Sequence, residues 1–186
     1  MPLEATFRDL LARLHDLNEA LNHLHVFVGD KPPHDEAAVA DDLAEGSLAL
    51  IGVLHEARQG AVQARQAVAN QPDLNRAGKA LAICQTGFHR VEKDFPALVA
   101  SYKHFTELFR LAKERPEWAP WVVNTKQAIE DCYGPMEAVR QALTVCWQEL
   151  AEHRGAPSVS VRTTSVGQRI VAKPSEESDV GYGRIT

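Results

Sequence analysis

The chain has 186 residues, 24% of them charged, 45% hydrophobic and a net charge of −5. That length suits one domain with a real core, and the acidic balance argues against nucleic acid as a main partner. No stretch of apolar residues is long enough to span a bilayer: the run Leu48 to Leu54 is broken by Gly52, so stable membrane insertion is not expected.

The N-terminus, Met1-Pro2-Leu3-Glu4, has neither the basic nor the apolar stretch of a secretory signal, and a cytoplasmic location is the expectation. From there Leu3, Phe7, Leu10, Leu14, Leu17, Leu21, Leu24 and Val28 follow in alternating steps of four and three. Such steps keep an apolar stripe on one side of a helix. The predicted helix stops at Gly29-Asp30-Lys31-Pro32-Pro33.

A second helix is predicted from about Asp35, with its seam at Leu43, Ser47, Leu50, Leu54, Ala57, Ala61, Ala64 and Val68. The acidic residues Asp35, Glu36, Asp41, Asp42 and Glu45 suit a helix N-terminus, and they would also attract a basic partner. Arg58, Arg65 and Arg76 form no dense basic or aromatic array and read as a solvated face. Asn70-Gln71-Pro72-Asp73 makes a short turn.

The third helix runs its seam through Leu74, Ala77, Leu81, Cys84, Phe88, Val91, Phe95, Leu98, Tyr102, Phe105, Phe109 and Ala112. The fourth, after Glu114-Arg115-Pro116-Glu117, uses Trp118, Val122, Thr125, Ile129, Cys132, Met136, Val139, Leu143, Cys146 and Leu150. Pro120 suits a first-turn position, which places its regular start near Ala119. Pro96 and Pro135 fall inside these helices without shifting the seam, as kinks or as breaks between collinear helices with Asp94 capping the second. Gly155 and Pro157 supply the stop.

Leu11, Phe27, Ile51, Val53, Val99, Leu108 and Trp147 widen the stripes beyond what a two-stranded coiled coil needs. Short connections make successive helices antiparallel neighbours. The predicted fold is therefore an all-α, up-down-up-down four-helix bundle over residues 1–155, with a non-helical tail over 156–186 that is either extended or disordered.

No seam position is Asp, Glu, His, Lys or Arg. A bundle that holds a metal or an acid–base pair in its core needs such groups facing inward. Glu-x-x-His and His-Glu-x-x-His are both absent, as is a glycine-rich phosphate loop. No catalytic residue, metal ligand or cofactor is therefore assigned. The eight histidines fall beside the seams, in a loop or at a helix end, the alternative being a surface metal site at His23 or His25. Cys84, Cys132 and Cys146 read as small core residues.

Trp118 and Trp121 have two readings, a plug for the end of the bundle or an aromatic anchor for a partner. The tail offers a second candidate. Residues 158–164 alternate with a period of two, and a shorter β-prone run, 168–172, follows. Arg154, Arg162, Arg169 and Lys173 make its first half basic beside a body of 15 Lys/Arg and 22 Asp/Glu. Val159, Val161, Arg162, Arg169, Ile170 and Lys173 are thus candidate partner-binding residues.

Measured from the loop between them, the second helix outruns the first, which predicts a groove beside Ala61, Ala64 and Val68. The function expected is a non-enzymatic interaction subunit, an adaptor or scaffold whose partner is another protein or a second copy. A bundle enzyme or metal-binding protein with a surface or intersubunit site is the alternative, and a membrane-acting bundle the third.

Overall fold

The computed structural model describes residues 2–32, 37–69, 72–110 and 115–155. Among them are four α-helices, α1 (Leu3–Gly29), α2 (Ala37–Ala69), α3 (Leu74–Arg110) and α4 (Ala119–Gly155), with a 3-10 turn at Pro116–Trp118. The predicted start of the second helix at Asp35 lies outside the described residues, as do Ala112 and the side chains of Leu108 and Phe109.

Local chemistry fixes the helix ends. Asp73 caps α3: its Oδ1 accepts a 2.9 Å hydrogen bond from the Arg76 amide, satisfying one of the free donors of the first turn. Pro116 opens the 3-10 turn and Pro120 lies in the first turn of α4, where a missing N–H costs nothing. α3 and α4 run unbroken through Pro96 and Pro135, so Asp94 lies within a helix and caps nothing. The reading of collinear broken helices is corrected: side-chain packing on the seams holds each helix together across one lost backbone bond.

Pairs of touching residues give the topology. Glu4 meets Arg65 and His25 meets Ser47, so α1 and α2 are antiparallel. Gln85 meets Trp147 and Tyr102 meets Val122 between α3 and α4. Thr6 meets Cys146 and Val28 meets Trp121 between α1 and α4. The helices form a square ring in which α1 lies on α2 and α4, α2 lies on α3, and the diagonal pairs stay apart.

The sides of that square are unequal. Along α2 and α3 the facing residues are small: a Cβ added to Gly60 would sit 2.7 Å from the Cys84 nitrogen and 2.9 Å from the Ala80 oxygen. One added to Gly87 would sit 2.9 Å from the Ala57 Cβ. The two backbones therefore touch, with Ala57, Ala61, Ala64, Ala77 and Ala80 buried along the same contact. Aromatic side chains fill much of the space between α3 and α4, and these two helices make the sparsest of the four lateral contacts.

The predicted groove beside Ala61, Ala64 and Val68 is not formed. Ala61 and Ala64 are fully buried and Val68 nearly so. Glu4, in the first turn of α1, accepts a 3.2 Å hydrogen bond from Arg65 near the end of α2. The reason is register. Lys31, just past the end of α1, ion-pairs with Asp41, which sets the end of α1 beside the second turn of α2 and not beside its start. The extra length of α2 lies at the end carrying Trp118, not at the end where α1 begins.

Candidate functional site

The interior carries no chemistry of its own among the described residues. Its buried polar side chains are Thr6, Ser47 and Thr125, and no Asp, Glu, His, Lys or Arg is buried. Ser47 donates 2.8 Å to the Ala44 carbonyl. The His25 Nδ1 lies 2.9 Å from the Ser47 oxygen and 3.2 Å from the Ala44 carbonyl. A carbonyl only accepts and the serine proton is already committed, so Nδ1 carries the hydrogen and donates. That hydrogen bond occupies one of the two nitrogens through which His25 would hold a metal. No group of three His, Cys, Asp or Glu is placed to ligate an ion among the described residues.

Cys84, Cys132 and Cys146 are buried and free. Burial pushes each thiol up to about 12, far from the thiolate range of a nucleophile. Cys132 donates to the Ala128 carbonyl at 3.2 Å.

At the end of the bundle, Trp118 is fully buried and Trp121 nearly so. Their rings meet edge to face at 5.4 Å, and each meets Phe105, at 5.5 Å and 5.1 Å. Tyr102 completes the cluster, 6.4 Å from Trp121. Both tryptophans plug their own bundle and present no exposed ring. Val159, Val161, Arg162, Arg169, Ile170 and Lys173 lie outside the described residues. Of the basic residues at the border of the tail, Arg154 is placed: its guanidinium covers Gly78 and donates 2.8 Å to the Leu74 carbonyl.

The aromatic spacing of α3 and α4 creates a feature that seam counting does not reveal. Near the Tyr102–Val122 contact a groove of about 490 Å³ opens between the two helices. Val99, Val122 and Ile129 line it, with the half-exposed ring of Tyr133 held edge-on against Phe95 at 5.4 Å. The Tyr102 hydroxyl donates 2.8 Å to the Val122 carbonyl, so its ring faces the groove without a spare donor. Burial, with the nearby Glu130 carboxylate, pushes that phenol up to about 12. Lys103, Lys126 and Glu130 stand at the rim. The signal in the sequence was faint: the seam residues Tyr102, Val122 and Ile129 are joined by Val99 and Tyr133 one place off the seam, with Lys103 and Lys126 nearby.

No helix among the described residues is long and apolar enough to cross a membrane. The chain matches no protein-family model, no curated protein and no solved structure.

Proposed function

We propose that this chain is a non-enzymatic interaction subunit, an adaptor or scaffold of a larger cytoplasmic assembly. The observation that supports it is the interior: every ionisable Asp, Glu, His, Lys and Arg of the described residues lies outside the buried core. The thiols that are inside are held protonated. Such a bundle supplies rigidity and surface. The partner contact falls to the surface and to the tail, where Val159, Val161 and Ile170 supply apolar side chains and Arg162, Arg169 and Lys173 supply charge. Trp118 and Trp121 contribute by fixing the end of the bundle.

Affinity capture of the full chain from its native host, followed by reconstitution from purified components, tests this reading. A stoichiometric complex that weakens as salt is raised is the expected result. Failure to reconstitute any complex, together with catalytic turnover by the chain alone, would overturn it.

A further inference from the structure

The groove between α3 and α4 points to a function independent of protein association. We propose that it binds a small amphiphilic carboxylate, with the apolar body along the floor and the carboxylate between Lys103 and Lys126. The floor selects an apolar body, because Val99, Val122 and Ile129 offer no hydrogen bond and the Tyr102 hydroxyl is already committed to Val122. The rim selects a negative head. Lys103 follows Tyr102 on α3 and Lys126 lies one turn past Val122 on α4, so the two cations line the groove from opposite walls.

Lys103 has no ion-pair partner among the described residues, and Lys126 reaches Glu130 only at 3.7 Å in an exposed pair. An exposed pair of that kind is weak and yields readily to a better-placed anion. In a chain of net charge −5, a lining that sets two cations against the single carboxylate of Glu130 is a local reversal of sign. Size decides the class of occupant. A volume of about 490 Å³ lies within the usual range of small-molecule sites.

The test is calorimetric titration of the full chain with dodecanoate below its micelle concentration, with methyl dodecanoate and dodecyltrimethylammonium as matched neutral and cationic probes. Dodecanoate is expected to bind saturably at one per chain, and the other two about tenfold more weakly or worse. Lys103→Glu with Lys126→Glu should weaken dodecanoate by about tenfold or more, whereas Lys103→Arg with Lys126→Arg should retain it. Thr106→Trp, at the half-buried wall, should block it; unchanged melting of each variant shows that the fold is intact. The proposal is overturned by absence of saturable dodecanoate binding, by equal binding of the ester or the cation, or by binding that survives both the charge reversal and Thr106→Trp.

Discussion

The indole Nε1 of Trp121 donates a 3.1 Å hydrogen bond to the carbonyl of Val28. Through it the first turn of α4 satisfies a carbonyl at the end of α1, one of the acceptors a helix terminus leaves unpaired. The indole is nearly buried, so water is poorly placed to replace it.

Trp121→Phe should therefore destabilise the chain by about 1–3 kcal/mol, the usual cost of leaving a buried acceptor unsatisfied. Trp147→Phe is the matched control. Its Nε1 also donates, 2.8 Å to Gln85, but the partner is a half-buried side chain that solvent can serve. Its cost should be smaller. Urea unfolding of the two variants measures the difference, and equal losses would contradict the capping role of Trp121.

Two glycines on α2 should respond with opposite sign. Gly52 is exposed, and an added Cβ meets nothing within 4 Å. Gly52→Ala should stabilise the chain by roughly 0.5–1 kcal/mol by restricting the unfolded chain. At Gly60 the same methyl collides with the α3 backbone, which cannot rotate away as a side chain would. Gly60→Ala should cost about 1–3 kcal/mol, read as a drop in thermal midpoint.

These glycines also mark a limit of the sequence. The seam residues Leu10, Leu14, Leu17 and Leu21 announce their burial through spacing alone, and α1 follows that spacing throughout. Gly60 and Gly87 look like helix-weakening residues until α3 is laid beside α2. Register between helices was equally hidden, because helix length says nothing about where the neighbour begins. Glu4 beside Arg65 belongs to the same register as Lys31 beside Asp41. Lys103 and Lys126 come to line one groove only because α3 and α4 lie side by side.

The thiols give a pH prediction. In the folded chain burial raises each from the ordinary 9.0 to about 12. Above about pH 9 the unfolded chain loses thiol protons that the folded chain keeps, so rising pH favours unfolding. Tyr102, raised from 10.0 to about 12, adds the same sign. Stability from these groups is whole below about pH 9 and should fall as the pH climbs toward about 12. Urea midpoints across that range should decline, less steeply for Cys84→Ala. At about pH 8 a thiol reagent should label the native chain slowly and all three cysteines once it is unfolded. Rapid labelling of the native chain would contradict the burial.

Metal content gives an independent check on the interior. Elemental analysis of the purified chain should find no stoichiometric transition metal, because no described cluster offers three ligands and the His25 Nδ1 is committed to Ser47 and Ala44. About one iron or zinc per chain, lost on replacing His23 or His25, would overturn this expectation and establish a metal site on the surface.

The most direct test of the central proposal, an interaction subunit whose tail contributes to the partner contact, is truncation after Gly155. The shortened chain keeps every seam residue and keeps Arg154 on the Leu74 carbonyl. Full-length and truncated proteins would be compared by thermal melting and by recovery of the partner that the full chain captures. The account predicts a melting midpoint shifted by no more than a few degrees, about what 1 kcal/mol produces in a domain of this size. Partner recovery should be lost or greatly reduced. Equal recovery by the two proteins would contradict the claim, and would move the contact from the tail onto the surface of the bundle.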